Sequence, residues 1–398
     1  MEVLREDQQG MGVALHIGVS HEPEPERAAA EATRQALACQ ETPVLALVFG
    51  SEQYDPVALA AALSCELGAV PWAGCCAAGV IVGEQLLWEG LAVGVFVGDL
   101  QAGIGVAGPV SQEPFQSGRR AVEQALQGFS APRAGHHRGI LLLTDAFSGN
   151  VEHVVQGAIR EAGGGVAWAG GGAGDNLRFL RTAQFAGHAY RDHVVAVVLE
   201  ADRPFGVGLE HGWLPYGPPV LATHTRGEAV VDLDFSNAFG VYRATAVRQG
   251  DEVSREDFAR FAMFHPLGIP CASGNYVIRD PISVEPDGAL RCLAEVPDGS
   301  LLRVMQGKPE TLITAARDAA CTSRRRAGGE LAFSLVFDCV SRARVLGPRI
   351  LEELSVMSQV LGAEVPMLGC LTFGEVGAQG VALPQFHNKT TVVLSLMA

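Results

Sequence analysis

Three times along the chain a run of apolar residues ends abruptly at small ones: Val70-Pro71-Trp72-Ala73-Gly74-Cys75, Val166-Ala167-Trp168-Ala169-Gly170-Gly171 and Val365-Pro366-Met367-Leu368-Gly369-Cys370. An unbroken apolar run this short, bounded by turn residues, predicts a strand covered on both faces. Similar elements surround each run. In the first copy Val44 to Phe49 predicts a strand, Asp55-Pro56 the start of a helix, Gly68 its stop, and Leu91 to Val97 a closing strand. In the second, Ile140 to Thr144 is the strand, Asn150 caps a helix through Ala162 that Gly163 ends, and His193 to Leu199 closes. In the third, Leu331 to Phe337 is the strand, Pro348 opens the helix, Gly362 stops it, and Thr390 to Leu396 closes. Strand, helix, strand, loop, strand therefore recurs, and recurring order marks duplication.

The remaining stretches carry plainer signals. Val13 to Val19 predicts a strand, followed by a helix through Ala38 whose start holds Glu22, Glu24 and Glu26, where negative charge suits the helix dipole. Gln101 to Pro109 predicts a Gly-rich strand, Phe115 to Leu126 a helix, and Ala131 to His137 a linker. Phe205 to Trp213 is expected to pair with Val220 to His224 across the turn Leu214-Pro215-Tyr216-Gly217-Pro218-Pro219. The main boundary is placed here, giving domains 1–220, with two units, and 221–398, with one. Short strands follow at Tyr276 to Arg279, Gly288 to Leu293 and Leu301 to Met305. Hairpins require antiparallel pairs while strand-helix-strand units allow parallel ones. The expected fold class is α/β (α+β), with mixed, largely antiparallel sheets flanked by helices.

Composition narrows the function. A formal net charge of -15 opposes a nucleic-acid partner, whose phosphates need a basic face. Nine cysteines are scattered without a C-x-x-C pair, which indicates neither a disulfide framework nor a zinc ribbon and suits a reducing compartment. The acidic start Met1 to Asp7 lacks an apolar signal core, and no apolar run reaches the roughly 18 residues that span a bilayer. The expected location is cytoplasmic.

The small-residue corners are the expected binding site, because bare backbone can approach a ligand there or pack against a neighbour. The three corners are expected to surround a common hollow. Its candidate lining is Gly74, Cys75, Gly171, Gly172, Gly369 and Cys370, joined by Asp145 at a strand end and Asp175-Asn176 after the glycine run. Glu375 could meet an ammonium group, and His387 and Asn388 could face the same space. Competing structural roles are a turn cap for Asp175, a helix-start cap for Asp145, a surface Glu375 and a core His387. Cys75 and Cys370 fall at matching places and could be nucleophiles if their thiol pKa were lowered, or could simply pack a tight turn. The glycines do not form G-x-G-x-x-G at a strand-to-helix junction, which argues against a dinucleotide site. No catalytic residue is assigned, and the expectation is that the chain is not an enzyme.

Trp168 to Asp175-Asn176, Gly369-Cys370-Leu371-Thr372-Phe373-Gly374-Glu375-Val376 and Phe386-His387-Asn388-Lys389-Thr390-Thr391 together resemble the signatures of FIST-domain sensory proteins, which carry a FIST N and a FIST C domain. The resemblance runs from about Gly18 to the carboxyl end. It implies a cytoplasmic sensor for a small ligand such as an amino acid, controlling a histidine kinase or cyclic-dinucleotide enzyme on a separate chain. Some stand-alone members bind haem and sense nitric oxide, so haem is a conceivable cofactor here. Among eleven histidines the candidate axial ligands are His188, His193 and His211, and attachment would be non-covalent.

Overall fold

The computed structural model describes residues 12–129, 135–175, 177–178, 180–271, 274–378 and 382–398. Its helices and its mixed and antiparallel sheets form the expected α/β fold, but each repeat is longer than the apolar pattern implies. Unit one comprises a lead strand Ala14–Ser20, helix Pro25–Ala36, first strand Pro43–Ser51, helix Pro56–Leu67, second strand Trp72–Ala77, a hairpin of Gly79–Val82 with Gln85–Leu87, and closing strand Leu91–Val97. Unit two repeats the order with Leu100–Ala107, Pro114–Leu126, His137–Thr144, Val151–Ala162, Val166–Gly172, the hairpin Gln184–Ala186 with Ala189–Tyr190, and Val194–Ala201. Unit three uses Phe205–Glu210, Pro309–Ala327, Leu331–Cys339, the helices Val340–Leu346 and Ile350–Leu361, Met367–Thr372, the hairpin Glu375–Gly377 with Gln385–His387, and Thr391–Met397.

The lead strand and the helix after it belong together for a steric reason. A Cβ added to Gly18 would sit 1.9 Å from Ala32 O, one on Gly105 1.9 Å from Ala121 O, and one on Gly208 1.8 Å from Ala319 O. Each lead strand thus presents a bare backbone against which the following helix lies directly. This corrects the hairpin expected between Phe205 to Trp213 and Val220 to His224. Phe205–Glu210 instead pairs with the closing strand Thr391–Met397, and the chain from Leu214 to Gln306 is an insertion between lead strand and helix. Leu214–Arg226 pairs inside that insertion, with Leu301–Gln306 and Ala229–Leu233, around its own core of Val230, Phe239, Tyr242, Phe258 and Leu302. The expected domains 1–220 and 221–398 meet within this strand.

Helix starts follow local chemistry where a cap exists. Asp55 accepts hydrogen bonds from Val57 N at 3.1 Å and Ala58 N at 3.0 Å, with Pro56 in the first turn. Asn150 makes no such side-chain bond, and Pro348 lies in a 3-10 turn, Gly347–Arg349, ahead of the helix.

Within the sheet of each unit the order is lead, closing, first and second strand, and of these only first and second are parallel. The exposed edge of each second strand is covered by a hairpin from another unit. Unit one's hairpin pairs with unit three at Val80↔Cys370, unit two's with unit one at Gln184↔Cys75, and unit three's with unit two at Glu375↔Gly171. The exchange is cyclic, so the three corners meet at one axis. No helix among the described residues is long and apolar enough to cross a membrane.

Candidate functional site

At the axis the same hydrogen bond is made three times. Ala78 N donates to Leu371 O at 3.0 Å, Gly174 N to Cys76 O at 3.0 Å, and Phe373 N to Gly172 O at 2.9 Å. The corners therefore converge as expected, but the space between them is filled. Phe49 meets Phe337 edge-on with centroids 6.1 Å apart, and Cys75 and Cys370, both fully buried, touch through their thiols. One apolar cluster holds Phe49, Leu143, Phe337, Cys75 and Cys370 from all three units. At these positions the axis is packed rather than hollow, because the residues alternating inward on the first strands are large.

The corner glycines serve this packing. A Cβ on Gly74, Gly170 or Gly369 would lie 1.8, 2.2 or 1.9 Å from the carbonyl oxygen of Val48, Leu142 or Val336 on the parallel neighbour. Gly171 and Gly172 are pressed in the same way against Gly374 O and Phe373 O, each 2.6 Å from the added Cβ. Hydrogen bonding to Cys370 and burial hold the Cys75 thiol well above its ordinary pKa, and burial does the same for Cys76. The lowered pKa that a nucleophile needs is not found at these thiols.

The polar candidates are mostly occupied by backbone. Asp145 accepts from Phe147 N and Asp192 N, each at 3.0 Å, tying a strand end to the turn before the closing strand. Asp175 accepts from Leu180 N at 2.6 Å and Arg181 N at 3.0 Å, and lines a cavity of about 210 Å³ with Cys76, Tyr54 and Arg178. Asn176 lies outside the described residues. Glu375 is completely buried, with Thr372 Oγ1 at 2.8 Å and Thr390 N at 3.1 Å, and burial pushes its carboxyl well up. Asn388 accepts from Asp280 N at 3.4 Å while its Nδ2 has no partner among the described residues.

His387 leads to a different place. It lines a cavity of about 610 Å³ where three parts of the chain meet. Unit two contributes Glu152, His153 and Gln156 from one helix, unit three contributes Leu383, Gln385 and His387, and the insertion contributes Ile269, Val277, Arg279 and Glu295. Burial, followed by the Arg279 charge, depresses the His387 pKa to about 3, so its ring is neutral there. Arg279 is 6% exposed; its Nε donates to Glu295 O at 2.7 Å and its Nη1 to Ile278 O and Phe386 O, each at 3.1 Å. Beside it Asp280 meets Lys389 at 3.0 Å, and Lys389 also donates to Met263 O at 3.0 Å. The insertion is thus clamped onto unit three next to the cavity. Sequence reading singled out neither Arg279 nor Lys389, although Arg279-Asp280 closing a short apolar strand was a signal in view.

The three candidate haem ligands sit in different settings. His211 is buried with both ring nitrogens engaged, Nε2 by Asn275 Oδ1 at 2.7 Å and Nδ1 by Trp213 N at 2.9 Å. His193 uses Nδ1 on Arg191 O, and His188 sits exposed on a hairpin. Among the described residues no group of three or more His, Cys, Asp or Glu side chains could hold a metal ion.

The FIST N domain family matches residues 44–235 and the FIST C domain family residues 238–378, so the chain belongs to the FIST family. FIST domains are sensory domains of signal transduction. A search of curated proteins finds no match. Among solved structures, one cyanuric acid hydrolase is similar at 12% identity and TM-score 0.35, over 98% of this chain and 100% of that one. Another, from A. caulinodans, is 10% identical at TM-score 0.35 over 97% and 100%. T. maritima PurL complexed with ADP is 11% identical at TM-score 0.24 over 96% and 71%. Likeness at this level carries no inference about activity.

Proposed function

We propose that this chain senses a small organic molecule, such as an amino acid, in the cavity of about 610 Å³, and relays its occupancy to a partner kinase or cyclic-dinucleotide enzyme. The observation carrying this reading is the composition of the wall: a helix of unit two, the exchanged hairpin of unit three and two strands of the insertion. An occupant would touch all three at once, and its differential affinity for open and closed arrangements would shift their population. The volume suits a small ligand, and a mostly apolar wall with a few convergent polar groups is the usual form of such a site. No turnover is assigned to it; the raised pKa of the Cys75 and Cys76 thiols lends no support to a cysteine enzyme.

A thermal-denaturation panel of amino acids tests the reading. A ligand at 100 times its Kd adds about 2.7 kcal/mol to stability. Gln156→Trp, on the exposed side of the helix lining the cavity, should remove the response while leaving the unliganded midpoint close to wild type. A ligand whose stabilisation survives Gln156→Trp binds elsewhere, and the cavity loses its role.

A further inference from the structure

We infer that the occupant is a zwitterion with an apolar body, its carboxylate on Arg279 and its ammonium on Glu295; this rests on the cavity being the ligand site. Arg279 carries a full charge at 6% exposure, yet its three hydrogen bonds go to neutral main-chain carbonyls. Among the described residues it has no ion pair, and its Nη2 has no hydrogen-bond partner. The carboxylates of Glu152 and Glu295 act on it only from beyond ion-pair distance, so no anion among the described residues touches the guanidinium, and a buried charge without a contacting partner is costly. The carbonyls fix the guanidinium plane, so the side of the fork that remains is pre-set for a planar anion.

Glu295 is the complementary half. Its carbonyl holds Arg279 Nε, but its half-buried carboxylate, which also lines the cavity, takes no hydrogen bond and no ion pair among the described residues. Glu152 lies in the same wall with one oxygen already committed to Phe386 N at 3.1 Å. One fixed cation and a free carboxylate, both bordering one space and not paired with each other, match a ligand that carries both charges. Ile269, Val277 and Leu383 offer the apolar surface for the rest of it.

The experiment is calorimetric titration of the full chain with L-leucine, L-leucinamide and 4-methylpentanoate. The first carries both charges, the second only the ammonium and the third only the carboxylate. L-Leucine should bind, and each analogue should bind at least ~10-fold more weakly, the loss of one charge-assisted contact. Glu295→Gln should narrow the gap between L-leucine and 4-methylpentanoate while keeping the gap to L-leucinamide. Because Arg279 also braces three carbonyls, its replacement would test folding together with binding; the Glu295 variant, at a half-buried position, keeps the two apart. Equal binding of all three compounds overturns the zwitterion assignment and leaves the sensor reading standing. Binding by none of them overturns both.

Discussion

Lys389 Nζ lies 3.0 Å from Asp280 Oδ2, and both side chains are closed off from water. The pair joins the segment before the last strand to the insertion. Its surroundings complete it: Ser341 Oγ donates to the same Asp280 oxygen at 3.1 Å, and the ammonium lies 5.3 Å from the centre of the Trp213 ring. Removing one partner of a buried pair strands the other charge, which costs about 3–5 kcal/mol, more than the net worth of the pair. Lys389→Met is therefore expected to destabilise by that amount in urea denaturation, and Lys389→Met combined with Asp280→Leu by clearly less. A single variant within about 1 kcal/mol of wild type would show that Asp280 finds water or a proton instead.

Gly369 tests the packing of the axis. Its added Cβ would meet Val336 O at 1.9 Å, a backbone atom that no rotamer change can move. Gly128→Ala is the control, since nothing lies within 4 Å of its added Cβ and its φ is not positive. The control should stay within about 0.5 kcal/mol of wild type, as for an unstrained surface substitution. Gly369→Ala should reach or exceed about 3 kcal/mol, the upper end of overpacking. Equal midpoints for the two variants would mean that the parallel strands separate easily, and the axis would not be the rigid centre described.

Much of this was legible. The apolar hexamers read correctly as strands because burial on both faces leaves no polar alternation, and Gly74, Gly170 and Gly369 marked where two backbones come close. Which backbones was not legible. Val80 pairs with Cys370 of another unit, and nothing local to Gly79–Val82 distinguishes a partner at that distance from one nearby. The filled axis followed from Phe49 and Phe337 pointing inward together, a relation between units rather than within one. Phe205 to Trp213 was misassigned because a proline-rich turn suggested a hairpin, although Gly206 and Gly208 repeated the glycines of the other lead strands. Arg279 looked like an ordinary charged strand end until the insertion folded over it.

Two buried groups should tilt the pH dependence of stability in opposite directions. Burial lowers the His387 pKa to about 3, so below the unfolded value of about 6.5 the unfolded chain binds a proton that the fold refuses. Stability attributable to this ring therefore falls as pH drops, by about 1.4 kcal/mol per pH unit. Glu375 behaves inversely. Thr372 Oγ1 has one proton and two neighbours, Asp338 O at 3.1 Å and Glu375 Oε1 at 2.8 Å, and both contacts become hydrogen bonds when Glu375 is protonated and donates. Its raised pKa means that stability is present below the unfolded carboxyl value and is lost as pH rises through the folded one. Between pH about 5 and 6, His387→Gln and Glu375→Gln should thus change the slope of stability against pH with opposite signs. Parallel slopes for the two variants would place at least one proton incorrectly.

Thiol reactivity separates a sensor with packed cysteines from a cysteine enzyme. Cys65 and Cys321 are exposed, Cys39 and Cys271 half-buried, and Cys75, Cys76, Cys292, Cys339 and Cys370 buried. Burial pushes the Cys292 thiol to about 12, and the same cause raises Cys76 and Cys339 further, while Cys75 is held up by hydrogen bonding to Cys370 as well as by burial. The reactive species is the thiolate, so labelling at neutral pH should be fast at the two exposed sites and intermediate at the two half-buried ones. The five buried sites should label only as fast as the chain opens. Mass spectrometry of chymotryptic fragments after timed alkylation reads each site separately. Cys75 or Cys370 reacting as quickly as Cys65 in the native protein would reveal an accessible, activated thiol at the axis, and the packed arrangement of the three units would have to be abandoned.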